Sequence, residues 1–187
     1  MPPNSIASEG QTSVSVELFR EAMSRLGAPV TVVTTDGAAG RQGLTVSAIT
    51  SVSDTPATVL VCINRSNRSH EAFRRNGVAG INILGHGHDG VAGIFASSRR
   101  SPAEKFASGL WRIGKTGAPL LEDAAVTLDC VIEDIRPSGT HDVLFCAVRD
   151  IAINDKIAVG LAWCGRAFHH LPFAPLTAPL KVRDTVP

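Results

Sequence analysis

The order of strand-like and helical segments constrains the fold of this chain more than any single motif does. Up to Ser108 the two kinds of segment alternate, but beyond it three strand-like runs follow one another with short turns between them. A doubly wound α/β fold needs strands and helices to alternate regularly. The sequence therefore predicts a β-rich α+β domain, built on an antiparallel sheet with short helices at its periphery.

Local patterns predict where the separate elements lie. Helices are expected where apolar residues recur every three or four positions or where capping residues begin a segment: Val16–Leu26, Ser69–Asn76, Asp89–Ser97 and Ser101–Ser108. Ser69 is the expected N-cap of the second of these helices. Strands are expected over β-branched and apolar runs: Pro29–Thr35, Leu44–Ile49, Thr58–Ile63, Gly80–Leu84, Val126–Ile135, Asp142–Ile153 and Ile157–Cys164.

The two ends of the chain differ in composition from the part between them. Residues 1–15 are rich in Ser, Pro, Gly and Thr and predict a flexible N-terminal arm. Residues 172–187 contain four prolines and little periodicity, which predicts an extended C-terminal tail. We expect a single domain over residues 16–171, because that stretch shows neither a repeat nor an internal boundary.

Composition argues against several classes of function. Eighteen basic and seventeen acidic residues give a net charge of +1, so no basic excess points to nucleic acid. No apolar run approaches the roughly 20 residues of a membrane span, and the N-terminus lacks an apolar signal core. The cysteines form no CxxC pair, which argues against a metal site: Cys62, Cys130, Cys146 and Cys164. Reduced thiols in a cytoplasmic protein are the simplest interpretation, and a disulfide is the alternative.

A glycine-rich segment, Gly85–Gly90, has the spacing GxGxxG between a predicted strand and a predicted helix. In a dinucleotide-binding βαβ unit such glycines bring a pyrophosphate to the helix N-terminus. Here a second helix follows where the parallel strand of that unit is required, so an ordinary strand-to-helix turn is favoured. The same segment holds His86 and His88, but two histidines without a carboxylate cluster are weak evidence for a metal.

Hydroxyl side chains are unusually dense over Gly43–Pro56, between two apolar strands. A sheet edge with satisfied Ser and Thr side chains would account for this composition. A flavin site would account for it as well, since an isoalloxazine ring needs an apolar slot and hydrogen bonds to its polar edge. From composition alone the two interpretations are equally supported.

The run from Phe19 to Pro56 resembles the start of the flavin reductase-like family, which includes the small reductases of two-component aromatic hydroxylases. Later segments agree with that family in order and spacing: Leu60–Asn64 with Ser69, Ile81–Leu84, Phe95–Ala96, Lys105–Phe106, Gly139–Asp142 and Gly165–His169. The resemblance extends over residues 17–171. It implies an antiparallel Greek-key split β-barrel of the FMN-binding type, usually a homodimer with flavin sites near the subunit interface.

The resemblance also implies roles for individual residues. The positions that match flavin-contacting segments are Thr45, Val46, Ser47, Ala48 and Ser53 beside the isoalloxazine ring, Asn64, Ser69 and His70 near the ribityl chain and phosphate, and Phe95, Ala96 and Lys105 in a later segment. His141 matches a family histidine expected near the nicotinamide and the flavin ring, and it is the candidate catalytic residue. The alternative for His141 is a turn histidine that caps a strand.

One position departs from the family pattern. The terminal motif of the family commonly contains a Tyr-His pair, whereas this chain has Phe168 before His169 and contains no tyrosine. A hydroxyl contact is therefore lost there, although ring stacking with the flavin is still expected of Phe168. Arg166 and His169 are expected near the phosphates of NAD(P)H.

The hypothesis that follows is an NAD(P)H-dependent flavin reductase, which passes hydride to FMN or FAD and supplies the reduced flavin by diffusion to a separate monooxygenase. One alternative is a flavoprotein that holds FMN tightly and reduces another acceptor, such as the cobalt of a cob(II)yrinate-type corrin. Another is a non-catalytic flavin-binding protein. The sequence chooses neither between FMN and FAD nor between NADH and NADPH.

Overall fold

The computed structural model describes residues 14–174. Its helices, α1 to α4, are short: Val16–Ser24, His70–Asn76, Asp89–Ala96 and Pro102–Phe106. Its strands, β1 to β12, are Ala28–Pro29, Thr31–Thr35, Gln42–Val46, Ile49–Asp54, Ala57–Asn64, Val78–Ile83, Trp111–Ile113, Pro119–Leu121, Val126–Ser138, His141–Ile153, Val159–Cys164 and Ala167–Pro172. The predicted arm, residues 1–15, and tail, residues 172–187, lie outside these residues except at their inner ends.

The largest sheet is antiparallel and has the strand order β3-β2-β6-β9-β10-β5-β4. Its two edge strands, β3 and β4, are consecutive in the chain and are separated only by Ser47 and Ala48. Three residue steps span about 11 Å at most, so the two edges must come close together and the sheet must curl. No hydrogen-bonded ladder joins β3 to β4 among the described strands. The result is a split β-barrel.

Two apolar cores lie on opposite faces of this sheet. The barrel interior is filled by side chains such as Val33, Ile63 and Phe73. The second core lies between the outer face and α3, and it includes Val32 and Phe95. Because β2 supplies alternate residues to both cores, all five of its residues are buried.

A three-stranded sheet, in the order β1-β11-β12, is attached to the barrel beside these cores. Three buried residues form a closed ring of backbone hydrogen bonds at the junction. Val30 N–H donates to the Leu161 carbonyl at 2.9 Å, Leu161 N–H donates to Leu84 at 3.0 Å, and Leu84 N–H donates back to Val30 at 3.0 Å. This ring fixes where β11 and β12 stand relative to β2 and β6.

A two-stranded hairpin, β7 with β8, covers the polar face of β9 and β6. Asn82 is buried on β6, where its amide donates to the Val32 carbonyl and its oxygen accepts from the Leu121 N–H at 2.7 Å. Asp129 is buried on β9 and accepts from the Thr116 N–H at 2.9 Å. These bonds satisfy polar groups that the hairpin removes from water.

The predicted β-rich α+β class is confirmed, and the predicted helices and most of the predicted strands are present with shifted ends. The prediction of one strand over Leu44–Ile49 is wrong, because the chain turns at Ser47–Ala48 to link the two sheet edges. Ser69 precedes α2, but its side chain makes no capping bond, since its hydroxyl faces β3 instead. The strands that were not predicted are β4 beyond Ile49, the β7–β8 hairpin and β12.

The GxGxxG segment is a strand-to-helix turn, as favoured from the sequence. The strand that follows it in the sheet, β9, pairs antiparallel with β6, which a dinucleotide-binding unit does not allow. No helix within residues 14–174 is both long enough and apolar enough to cross a bilayer.

The packing under the hairpin predicts opposite effects for one substitution at two glycines. A Cβ added at Gly80 would overlap the Pro119 carbonyl oxygen and the Thr34 hydroxyl, whereas a Cβ at Gly90 meets nothing within 4 Å. We expect Gly80→Ala to lower the free energy of unfolding by about 1–3 kcal/mol through overpacking. Gly90→Ala should raise it by about 0.5 kcal/mol, since Gly90 lies in α3. Urea unfolding measures both, and equal midpoints for the two variants would contradict this packing.

Candidate functional site

Two adjoining cavities lie beside the seam of the barrel and share Thr45 and Ala96. The larger one, the polar cavity, has a volume of about 640 Å³ and is lined by Gln42, Leu44, Thr45, Asn64, Ser66, Asn67, Arg68, Ser69, Phe95, Ala96, Ser97, Ser98, Arg100, Pro102 and Lys105. The smaller one, the apolar slot, has a volume of about 350 Å³ and is lined by Val30, Thr45, Val46, Ser47, Ala92, Gly93, Ala96, Trp163 and Phe168.

The polar cavity is electropositive. Arg68, Arg100 and Lys105 line it, and no aspartate or glutamate is among its lining residues. Serines of two loops, residues 64–69 and 97–100, complete its wall. Arg68 joins the two loops, because its guanidinium donates to the Ser98 carbonyl. Such a set of donors and cations suits an anion with several oxygens, such as a phosphate.

Lys105 is the buried cation of this cavity. Its ammonium donates to the carbonyl oxygens of Gly43 and Phe95, each at 3.1 Å, and so ties α4 to β3 and α3. Burial lowers the pKa of Lys105, and the nearby Arg68 lowers it further. Two of its three N–H donors are used by these carbonyls. Both carbonyls are neutral, so an anion in the cavity would balance the positive charge of the ammonium group.

Local turns position the rest of the polar wall. The Asn64 side chain accepts from the Ser66 N–H at 2.9 Å and from the Ser66 hydroxyl at 2.8 Å. The Asn67 side chain accepts from the Ser69 N–H at 2.9 Å. These local bonds shape the loop between β5 and α2, and the Arg65 N–H anchors the loop to the Thr140 carbonyl at 3.0 Å. The loop is therefore shaped around the cavity before any ligand binds.

The apolar slot has three walls. The end of β3 supplies Thr45, Val46 and Ser47, and α3 supplies one face of a helix. The Thr45 hydroxyl donates to the Ala92 carbonyl at 2.7 Å, which holds these two walls together. The third wall is the pair Trp163 and Phe168, whose rings meet edge to face with 5.0 Å between centroids. A flat, largely apolar group with one polar edge fits such a slot.

The cavities unite nine of the fifteen residues that the sequence singled out. Those that line one or both cavities are Thr45, Val46, Ser47, Asn64, Ser69, Phe95, Ala96, Lys105 and Phe168. Ala48 follows them in the turn between β3 and β4, where its carbonyl accepts from the Cys62 N–H. Ser53 lies towards the far end of the β4–β5 hairpin, and its hydroxyl accepts from the Thr55 N–H.

His70 and His141 lie next to the polar cavity but do not line it. His70 is buried and its Nε2 lies 2.8 Å from the Asp142 carboxylate, which also accepts from Arg74. The hydrogen bond with His70 is the main cause of a lowered Asp142 pKa, and Arg74 adds to it. His141 directly precedes Asp142 and is the first residue of β10, where it lies opposite Asn64 on β5. Its Nδ1 atom lies 2.9 Å from the Thr140 hydroxyl.

Arg166 and His169 point away from both cavities. Arg166 sits in the turn between β11 and β12 with φ of 65°, and its guanidinium pairs with Glu21 of α1 at 2.9 Å. His169 faces the opposite side of β12 from Phe168, as alternation along a strand requires. Its Nε2 lies 2.9 Å from the Cys164 carbonyl, and it lines a separate apolar cavity with Leu171 and Phe173.

Several lining residues were not singled out from the sequence. The sequence offers no signal that separates Arg68 and Arg100 from their neighbours Arg65 and Arg99. Trp163 lay in a predicted strand without a predicted role. In the part of the chain that the structure describes, no three His, Cys, Asp or Glu side chains are grouped to hold a metal, and all four cysteines are free.

Residues 23–172 match the model of the flavin reductase like domain, and the chain therefore belongs to the flavin reductase-like family. An FMN reductase (NADH) RutF from Cronobacter sakazakii is 46% identical over 155 residues, which cover 83% of this chain and 92% of the relative. A proposed flavin reductase from Haemophilus somnus has a similar structure, with a TM-score of 0.81, 39% identity and coverage of 84% of this chain and 100% of the other.

BorF is a more distant structural neighbour. It is the flavin reductase component of a bacterial two-component tryptophan halogenase, and it matches with a TM-score of 0.79 at 26% identity. The match covers 86% of this chain and 100% of BorF. These relatives have the same fold along their whole length, so the split barrel expected from the sequence is confirmed.

Proposed function

We propose that this protein is an NADH:flavin oxidoreductase whose reduced flavin, in the FMN form, leaves to serve a separate oxygenase. The observation that supports it most is the union of an apolar slot with an electropositive cavity around Thr45 and Ala96. FMN has the same two parts, a flat ring and a phosphate joined by a polar chain. The names of the RutF relative and of BorF support NADH as the donor and a two-component system.

The residues present fit a bound flavin, which would supply the hydride acceptor of the reaction. Val46, Trp163 and Phe168 would exclude water from the ring and hold it flat. Backbone groups and hydroxyls of Thr45 and Ser47 would bond its polar edge. Hydride transfer does not require any side chain to gain or lose a proton. The protein therefore has to orient the nicotinamide against the flavin ring.

The polar cavity would hold the phosphate. Lys105 offers its remaining N–H, and Arg68 and Arg100 add positive charge from the two loops that they belong to. Ser66 and Ser69 line the same cavity and would bond the ribityl chain. A cavity that is open on one side and has one buried cation favours exchange of flavin with solution over permanent retention.

His141 is proposed to contact the nicotinamide. Its place on β10 beside Asn64 puts it next to the polar cavity, and its hydrogen bond with Thr140 is local and replaceable. It does not line the apolar slot, so its proposed role needs the dinucleotide to approach from the side of β5 and β10. Arg166 is not available for a phosphate of that dinucleotide unless its pair with Glu21 opens.

We also propose that the protein works as a cytoplasmic homodimer. Helix α1 has no buried residue and exposes apolar side chains to solvent: Val16, Leu18, Phe19 and Met23. A monomer gains nothing from such a helix, whereas a second copy could cover it. Four free cysteines suit the reducing cytoplasm.

The proposed activity is tested by following NADH oxidation at 340 nm with the purified protein. We expect turnover only when FMN is added, with saturation by FMN, because the flavin exchanges with solution. Turnover without added flavin, by a protein that stays yellow on a column, would indicate a tightly held cofactor and another acceptor. The absence of NADH oxidation with FMN, FAD or riboflavin would contradict the proposal.

The phosphate site predicts a change in ligand preference. We expect Lys105→Met to reduce the ratio of FMN affinity to riboflavin affinity by about tenfold, since removing a buried cation costs a charge-assisted hydrogen bond. The two affinities are measured by quenching of flavin fluorescence. Their ratio is insensitive to a general loss of stability. Lys115→Met is the matched control, because Lys115 pairs with Asp150 on the surface away from both cavities. Equal ratios in all three proteins would rule out this phosphate site.

The proposed role of His141 predicts a kinetic effect without a binding effect. His141→Ala should slow the single-turnover reduction of flavin by NADH by about tenfold or more, because the nicotinamide loses a contact that orients it. The dissociation constant of FMN should change less than about twofold. Stopped-flow absorbance gives the rate. An unchanged reduction rate would refute the role.

A further inference from the structure

Two histidines and an aspartate lie beside the apolar slot and have no part in the proposed chemistry. The Nδ1 atoms of His86 and His170 are 2.8 Å apart. The Nε2 atom of His170 lies 3.1 Å from Asp89 Oδ1. The two imidazole rings meet edge to face with 4.7 Å between centroids. We call these three residues, His86, Asp89 and His170, the histidine bridge.

The histidine bridge continues the walls of the apolar slot. His170 is two residues beyond Phe168, so both side chains lie on the same face of β12. Asp89 is four residues before Gly93, which places both on one face of α3. Phe168 and Gly93 line the slot on opposite walls. The bridge therefore joins the same two walls, β12 and α3, next to the residues that line the slot.

The hydrogen-bond ring and the packing of α3 against Leu161 hold α3 near β11, but few contacts join α3 directly to β12 in the described part of the chain. Among the strands that the structure describes, β12 is at the edge of the three-stranded sheet and is paired only with β11. Among the residues that the structure describes, no backbone hydrogen bond joins α3 to β12. The loop before α3 is tied to β11, through the His86 N–H and the Val159 carbonyl at 2.9 Å. The side-chain tie to β12 is the histidine bridge.

We infer that the histidine bridge sets the spacing of the slot that holds the flavin ring and releases it when both histidines are protonated, so that flavin affinity falls in acid. The inference rests on the proposed function, since it takes the slot to be the ring site. His86 and His170 are thus positioning residues, which act on the flavin through α3 and β12. The consequence is a flavin site that loosens as the pH falls.

Proton counting gives the direction of this effect. In the neutral bridge, His170 donates from Nε2 to Asp89 and accepts at Nδ1 from the His86 N–H. One added proton is tolerated, because a charged His170 donates to both Asp89 and His86. A second proton leaves N–H groups on both facing Nδ1 atoms, which breaks their hydrogen bond and places two positive charges in contact. Histidine side chains ordinarily gain their protons between about pH 8 and pH 5.

The titratable groups next to the bridge in sequence have hydrogen-bond partners of their own. The hydrogen bond from His170 is the main cause of a lowered Asp89 pKa, so Asp89 stays ionised throughout. On the same loop, His88 turns away to Asp123. On β12, His169 turns to the Cys164 carbonyl, and the β11 residue opposite His170 is Leu161. Within residues 14–174, no other charged side chain is bonded to either ring of the bridge.

The test compares FMN affinity in three proteins at pH 7.5 and pH 5.5, by quenching of flavin fluorescence: the natural protein, His86→Phe and His86→Gln. Phenylalanine keeps a ring but removes the hydrogen bond. Glutamine can donate to a neutral His170 or accept from a charged one, and it does not titrate. The FMN phosphate itself titrates near pH 6, but it affects all three proteins alike, so ratios between proteins are the readout.

At pH 7.5 we expect His86→Phe to bind FMN about fivefold more weakly than the natural protein, the worth of one hydrogen bond. His86→Gln should bind as the natural protein does. At pH 5.5 the natural protein should fall to the level of His86→Phe, while His86→Gln stays about fivefold tighter than both. Parallel pH profiles for all three proteins, or equal affinities at pH 7.5, would overturn the inference.

A second measurement needs no flavin. In the free protein, NMR of the imidazole nitrogens should show that His86 and His170 titrate in two linked steps, and that replacing either one removes the linkage. Independent titrations would contradict the bridge itself. Failure of the natural protein to bind FMN at either pH would contradict the proposed function instead, and the NMR result would then decide whether the bridge exists.

Discussion

The two-residue link between β3 and β4 is the constraint on which the rest of the structure depends. Ser47 and Ala48 join strands that lie at opposite edges of a seven-stranded sheet, so the sheet has to curl until its edges meet. The seam that results is not closed by a hydrogen-bonded ladder. It exposes the end of β3, where Thr45, Val46 and Ser47 form a wall of the apolar slot. The hydroxyl-dense segment of the sequence is therefore the barrel seam.

Two further contacts complete the cavities beside the seam. The hydrogen-bond ring of Val30, Leu84 and Leu161 fixes the second sheet to the barrel and so places Trp163 and Phe168 across the slot from β3. Lys105 binds the carbonyls of β3 and α3 from α4 and supplies a buried positive charge at the other end. Each contact joins elements that are distant in sequence. The slot and the polar cavity that they border share Thr45 and Ala96.

Local signals were sufficient to predict much of this arrangement, but long-range pairings were not. Most of the strands, α3 and α4 follow from periodicity and capping residues near in sequence. Helix α4, for example, begins with a capping box in which Ser101 and Glu104 bond each other's backbone N–H groups. The hydrogen bonds between His70 and Asp142 and between Arg166 and Glu21 could not be predicted, because the partners are 72 and 145 residues apart. Strand β12 was missed because it is exposed along its whole length and has no apolar alternation. Family resemblance located the slot where pattern alone did not.

We propose that FMN binds in one continuous site, from Lys105 to Phe168. A crystal structure of the protein with FMN tests it most directly. We expect the phosphate in contact with Lys105 and the arginines of the polar cavity, and the isoalloxazine ring between β3, α3 and Phe168. A ring bound elsewhere, for example in the separate apolar cavity beside His169, would contradict it.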